Sequence, residues 1–250
     1  MLDQPSFRLR WPTFCLLTAT TVLLLTTTSS AHAQFRAERA IVESNSILNY
    51  GSFRFQVNSE GQPSSCDVVL FGYQNRRPGR FASLQDTVLQ IVPHRHHTLI
   101  GHKQGFMFHA ESFWPDLLQE PAVNIELRPL EVGLKTDILG IHFIGNQYRI
   151  HPKSFSIADE LLTWLQTNPT VEINIIGHVN GADGSRSRAF YRKASVRRSE
   201  SLIQWLVAKG VNPDRLHPAG YGSDALLFPD PLYAWQHEAN RRVEIEVLAY

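Results

Sequence analysis

An α+β architecture follows from a change of texture along the chain: a short-strand half with little helical periodicity gives way to a half in which strand and helix alternate. The 250 residues are 43% hydrophobic, enough to bury one or two cores, and 19% charged, too few for a disordered acidic or basic chain. The predicted fold is a small antiparallel β-sandwich followed by a β-α-β-α-β mixed sheet with helices on one face. A formal charge of +1 leaves no basic surplus to displace counterions from phosphates, which excludes nucleic acid as a main partner.

At the N-terminus, Arg8 and Arg10 supply a positive region, Phe14 to Leu25 an apolar run broken by threonines, and Ala31-His32-Ala33 a small-residue processing site. This predicts a signal peptide over residues 1–33 and a mature chain starting near Gln34. The apolar run is shorter than the ~20 residues that span a bilayer. Cys15 lies inside that run and no cysteine follows the cleavage site directly, so neither a membrane anchor nor a lipid anchor is expected. Cys66 is then the only cysteine of the mature chain, which must fold by core packing without an internal disulfide. Beyond Leu25 no segment approaches a transmembrane span, and no series of strands suggests a membrane barrel.

Residues 34–128 read as the sandwich. Gly51 to Val57 alternates apolar and polar residues, Asn58 to Pro63 carries turn chemistry, and Cys66 to Phe71 is an apolar strand. The run from Thr87 through Pro93, His97 to Gly101 and His102 to His109 is similar to the closing strands of carboxypeptidase-regulatory-like or transthyretin-like sandwiches. Histidines cluster here: His94, His96, His97, His102 and His109. His94 and His96 share one strand face, a spacing a zinc site uses, with His109 as a third ligand from the next strand. The same residues also suit the exposed edge of a hairpin, since no aspartate or cysteine is clustered beside them.

The boundary falls near residue 130, where Pro129 to Gly133 breaks the alternation of Val123 to Arg128. In residues 129–250, Leu139 to Phe143 reads as a strand. Pro152 opens a helix with Phe155, Ala158, Leu161, Leu162 and Leu165 on its apolar side, and Asn168-Pro169 stops it. Val171 to Ile175 is a period-2 strand, Ala194 to Lys209 a helix with Gly210 as its C-cap, and Arg242 to Val247 the last strand.

Several motifs are superimposed on this scaffold in a fixed order: Gly177-His178-Val179-Asn180, Arg197-Arg198, Gly210-Val211 with Arg215-Leu216, Gly220-Tyr221-Gly222, and Asn240-Arg241-Arg242-Val243-Glu244. Together they resemble the OmpA-like, peptidoglycan-binding domain family over about 110 residues. The resemblance implies a non-enzymatic domain without cofactor or metal, holding the diaminopimelate stem of peptidoglycan. In that family an arginine takes a carboxylate and an aspartate after the second strand takes the ammonium. Arg198 stands at the arginine position, whereas Asn180 replaces the aspartate. Tyr191 stands near a family asparagine, and the loop from Gly181 to Arg188 is about three residues longer than usual, placing Asp183 where it can supply the missing carboxylate.

The residues so implied at the ligand are Asn180, Arg198, Asp183, Tyr191, Asn240 and Arg241. Against this, Asn180 can bond its own turn, Arg198 can pair with Glu200 on an exposed helix face, and Asn240 to Arg242 can serve to close the sheet edge. The expected protein is periplasmic and bound to the cell wall, with an outer-membrane or secretion complex as partner of its sandwich. The alternative is a degenerate domain that keeps the fold as a protein–protein interaction module. No nucleophile elbow, paired carboxylates or phosphate-binding loop points to an enzyme.

Overall fold

The computed structural model describes residues 51–74, 77–93, 96–114, 122–144, 148–181 and 184–250, so the signal-peptide region lies outside the described residues. Eight strands come first: β1 Gly51–Ser59, β2 Gln62–Pro63, β3 Cys66–Gln74, β4 Arg77–Leu84, β5 Asp86–Ile91, β6 His97–His102, β7 His109–Phe113 and β8 Ala122–Leu127. They form two sheets. In one, β1 pairs with β2, β5 and β8; in the other the order is β4-β3-β6-β7. The alternation read in the sequence is the alternation of burial: Phe53, Phe55 and Val57 of β1 point inward to meet Val68, Leu70, Leu99 and Ile125 in one core. One ladder departs from the antiparallel expectation, because β8 runs parallel to β1, with Phe55 opposite Val123 and Val57 opposite Ile125. Val123, Ile125 and Leu127 then bury on the face that β1 buries.

The remaining elements are β9 Lys135–Ile138, α1 Phe155–Thr167, β10 Glu172–His178, α2 Arg188–Ala208, β11 Leu216–Gly222, α3 Ala234–Asn240 and β12 Val243–Ala249. Their sheet has the order β11-β10-β12-β9. Only β10 and β11 run parallel in it. Ile173 and Ile175 of β10 and Val243, Ile245 and Val247 of β12 face Leu161, Trp164 and Leu165 of α1 and Leu202 and Leu206 of α2. The mixed sheet with helices on one face is therefore present, with a fourth strand, β11, and the short helix α3 added to the predicted order.

Two boundaries moved. The first strand of this sheet is Lys135–Ile138, not Leu139 to Phe143, because the chain turns at Leu139 and Gly140 and drops Ile141 into the core. Helix α2 starts six residues earlier than Ala194, with Ser187 Oγ accepting the Phe190 N–H at 3.2 Å as its cap.

Residues Ile47–Tyr250 form one compact unit, and its two parts are joined by more than the connector. Ile100, Met107 and Phe108 belong to the core built by α1 and the mixed sheet. Trp164 Nε1 donates to Phe106 O at 2.9 Å, and Asn168 Oδ1 accepts from the Gly105 N–H at 2.7 Å. Beside them the buried Glu160 of α1 accepts from Arg80 at 2.6 Å and bonds His102 Nε2 at 2.9 Å. Burial alone would push the Glu160 carboxyl up, but the hydrogen bonds from His102 and Arg80 and the charge of Arg80 hold it below the usual range.

Candidate functional site

The position of Arg198 follows from how closely α2 seats on the sheet. A Cβ on Gly177 would meet Ser195 O at 2.2 Å, and one on Gly220 would meet Ser195 Oγ at 2.2 Å and Val196 N at 2.6 Å. Glycine in β10 and β11 therefore lets the helix backbone rest on the strands. Two serines pin it there: Ser195 Oγ accepts from the Gly222 N–H at 2.9 Å, and Ser199 Oγ donates to Ala219 O at 2.9 Å. One turn along from Ser195, Arg198 emerges at the C-terminal end of β10. Its Nη1 donates to His178 O at 3.2 Å, and its guanidinium lies 5.5 Å from the centroid of the Phe143 ring. It is not paired with Glu200, which is exposed elsewhere on the helix.

Arg198 opens into a pocket of about 360 Å³ that it shares with Arg241, Lys153, His142, His151, Glu238 and Phe143. Three permanent cations therefore face one carboxylate. Glu238 is already engaged by Arg241 and lies 3.5 Å from His142 Nδ1, and the hydrogen bond from Arg241 holds its carboxyl below the usual range. Burial, then the charge of Arg241, pushes the Arg198 guanidinium below its ordinary range, with Tyr148 and Glu238 offsetting only part. Arg198 Nε is buried without a hydrogen-bond partner among the described residues. A cation short of acceptors, beside a second arginine, suits a bound carboxylate.

The other predicted residues are dispersed. Asn240 is fully buried and structural in its bonds: its Oδ1 accepts from Phe228 N at 3.0 Å, and its Nδ2 donates to Phe228 O at 2.8 Å and to Asn180 Oδ1 at 2.9 Å. Asn180 in turn donates through Nδ2 to His237 Nδ1 at 2.9 Å. This pair is not in the lining of the pocket; it joins the end of β10 to α3, and among the described residues the side-chain bonds of Asn180 go to His237 and Asn240. Tyr191 is buried under the long loop, where its hydroxyl accepts from the Arg186 N–H at 3.1 Å and bonds Ser185 Oγ at 3.0 Å. It lines a separate pocket with Gly181, Arg186, Arg188, Ser223 and Asp224. Asp183 lies outside the described residues. Of the six predicted residues, Arg198 and Arg241 come together.

Sequence reasoning passed over Lys153, His142, His151 and Glu238. Lys153 directly follows the proline that opens a helix and stands in no charged motif, and Glu238 lies in α3, a helix of seven residues with no periodicity to announce it. The histidine of the Gly-His motif is not in the pocket. His178 is buried, edge-on to Tyr221, with both ring nitrogens unpartnered among the described residues, and burial followed by the charges of Arg242 and Lys135 pushes it down to about 4. As for a metal, His94 lies outside the described residues, His109 faces Glu111 at 3.7 Å, and no group of three metal-ligating side chains occurs among the described residues.

The OmpA family model matches residues 142–241, so the chain carries an OmpA family domain there. Outer membrane porin F of Pseudomonas fluorescens is 29% identical over 111 residues, which cover 44% of this chain and 33% of that protein, about a third of its length. Among solved structures, the peptidoglycan-associated lipoprotein of Burkholderia pseudomallei is 14% identical, covering 44% of this chain and 88% of that one, with a TM-score of 0.37. A periplasmic domain of MotB from Helicobacter pylori is 16% identical, covering 61% of this chain and 79% of that one, with a TM-score of 0.40.

Proposed function

We propose that this chain is a non-enzymatic protein of the cell envelope that binds peptidoglycan through the diaminopimelate stem peptide. The observation that carries this reading is the pocket at the end of β10, where Arg198, whose Nε has no acceptor among the described residues, lies with Arg241 in one lining. Within the stem, the side arm of diaminopimelate ends in one carboxylate and one ammonium, a compact zwitterion. In this reading a carboxylate takes the free N–H groups of Arg198, and Lys153 supports it across the pocket. Glu238, the single carboxylate of the lining, faces the ammonium. The match of residues 142–241 to the OmpA family supports the reading. Asn180 acts indirectly, tying His237 and Asn240 of α3, the helix that carries Glu238 and leads into Arg241.

A periplasmic location at the cell wall accords with this reading. Among the described residues no helix is long and apolar enough to cross a membrane. The first eight strands, clamped to α1, then present a second surface to an envelope complex.

Sedimentation of the purified protein with diaminopimelate-type sacculi tests the proposal. Wild type co-sediments, free diaminopimelate competes, and Arg198→Ala weakens binding by roughly tenfold to a hundredfold, the worth of one charge-assisted hydrogen-bonding group. A folded wild-type protein that stays in the supernatant refutes it, and co-purification of a protein partner after the wall has been digested would favour an interaction module.

A further inference from the structure

We infer that His142 decides which ligands the Arg198 pocket accepts: while neutral it leaves Glu238 to a ligand ammonium, and once protonated it takes that carboxylate and turns the pocket toward ligands that carry carboxylates alone. The inference rests on the peptidoglycan reading above and adds to it a specificity-determining residue.

Glu238 has two oxygens, and one of them is already spent. Oε1 accepts from Arg241 Nη2 at 2.5 Å. Oε2 is therefore the atom an ammonium must use, and His142 Nδ1 stands 3.5 Å from that same atom. This exceeds the about 2.7–3.2 Å of an N–H···O bond, so the neutral ring does not occupy Oε2. A charged ring carries N–H on both nitrogens and pairs with the carboxylate by a small movement.

The place of the ring is built into the chain. The His142 N–H donates to Oγ of the buried Ser154 at 2.8 Å, and that hydroxyl donates to Gly140 O at 2.8 Å. His142 O accepts from the His151 N–H at 2.8 Å, and Phe143 bridges Ile150 in the same hairpin. The side chain itself is half exposed, so it exchanges protons with solvent directly.

The charges facing the ring stay constant while its own changes. Arg198 comes from α2, Lys153 from the segment that leads into α1, and Glu238 and Arg241 from α3 and the residue after it. The hydrogen bond from Arg241 holds the Glu238 carboxyl below its usual range, so it remains ionised where histidines titrate. His151 is the other imidazole of the lining, but its Nδ1 accepts the Lys153 N–H at 3.2 Å and it forms no ion pair with Glu238. His237 bonds Asn180 and lies outside the lining, and His178, pushed down to about 4, stays neutral in this range. A side arm that sets its ammonium on Oε2 therefore meets a new cation beside that atom when His142 is charged. One added unit charge at such a distance changes affinity by about fivefold even in a water-like dielectric.

The test compares two soluble ligands by calorimetry: a diaminopimelate tripeptide, and the same tripeptide with aminopimelate in its place, which keeps the side-arm carboxylate and lacks the ammonium. Wild type is expected to prefer the diaminopimelate form at about pH 7.5 and to lose roughly three- to tenfold of that preference at about pH 5.5. His142→Gln should hold the preference constant across this range, and His142→Lys should show the reduced preference at both ends. The hydrogen bonds at position 142 are made by its backbone, so both variants should keep the wild-type melting temperature. If both ligands bind and wild type shows the same preference at the two pH values, the inference is overturned although the pocket reading survives. A shift that persists in His142→Gln, or a His142→Lys variant that keeps the full preference, overturns it as well. If neither ligand binds at either pH, the pocket reading has failed too.

Discussion

Replacing Arg198 by methionine separates a residue kept for a ligand from one kept for the fold. Among the described residues, Arg198 is held by one hydrogen bond of 3.2 Å to His178 O and by the Phe143 ring 5.5 Å away, with minor support from the charges of Tyr148 and Glu238. The first is worth ~0.5–1.5 kcal/mol and the second ~0.5–1 kcal/mol at a partly exposed site. Against them stand the burial of the cation, the charge of Arg241 and an Nε without an acceptor, all of which disfavour the charged group in the empty pocket. Methionine keeps the stem and a favourable contact with the Phe143 ring. The opposing terms nearly cancel, so the variant should melt within about 1 kcal/mol of wild type, a shift of no more than about 2–4 °C for a chain of this size. Sacculus binding should meanwhile fall by at least about tenfold. Free diaminopimelate should raise the melting temperature of wild type and leave that of Arg198→Met unmoved, because only the form with a site gains from mass action. Thermal melts by circular dichroism, with and without ligand, measure all of this. A destabilisation above about 2 kcal/mol would show that Arg198 holds the fold together, and the argument from its unmet hydrogen bonds would be wrong.

Glu160→Gln should cost about 2 kcal/mol, because His102 is buried and only Arg80, 62% exposed, can turn to water. Since the folded carboxyl is held below its usual range, the stabilisation is complete above the unfolded value near 4.3 and is lost as pH falls through the folded one; denaturant titrations should show that this acid loss disappears in the variant. His178 acts in a higher window: with its folded pKa near 4 against an ordinary 6.5, the unfolded chain binds the extra proton, so stability falls by up to about 3 kcal/mol between pH 6.5 and 4. His178→Phe should flatten that slope, and an unchanged pH profile would refute the assignment. Gly220→Ala should cost at least about 3 kcal/mol by pushing α2 off β11, whereas Gly133→Ala, at φ +85° with nothing within 4 Å of the added carbon, should cost only about 1 kcal/mol.

What was legible in the sequence was whatever depends on side-chain period. Strands β1, β3, β10 and β12 and helix α1 each bury a regular set of large apolar residues, and that set is visible as a pattern. Strand β11 escaped because His217-Pro218-Ala219-Gly220-Tyr221-Gly222 has poor strand propensity; it succeeds at the edge of the sheet, where Pro218 has no second neighbour to satisfy and Gly220 must admit the helix. The first turns of α2 escaped for a related reason. They rest on glycine through Tyr191, Ala194 and Ser195 in place of leucines, and so carry arginines without an apolar stripe. At the site, the motifs located the region and mixed two kinds of residue. Arg215 of the Gly-Val to Arg-Leu motif donates to Val171 O, Leu165 O and Asn168 O and so closes the end of α1, and Asn240 ties a loop; both are framework. Only distances separate them from Arg198 and Arg241.

The amide at position 180 gains a physical meaning from these contacts. Its Oδ1 accepts from Asn240 and its Nδ2 donates to His237, so both ends are used and neither needs a charge. An aspartate there would keep the first bond, but its second oxygen would face Nδ1 of His237 and require that nitrogen to carry a proton. Asparagine therefore makes the joint between β10 and α3 with Nδ1 of His237 as the acceptor, and without adding a charge. It also leaves the charge balance of the adjoining pocket to Arg198, Arg241 and Lys153 against Glu238 alone. If the pocket holds diaminopimelate as proposed, the absence of a carboxylate at position 180 should favour the carboxylates of that ligand over its ammonium. Asn180→Asp should then change selectivity more than fold: competition by a dicarboxylate that lacks the amine should weaken relative to diaminopimelate. If the two competitors keep the same ratio in the variant, the amide serves the β10–α3 joint only.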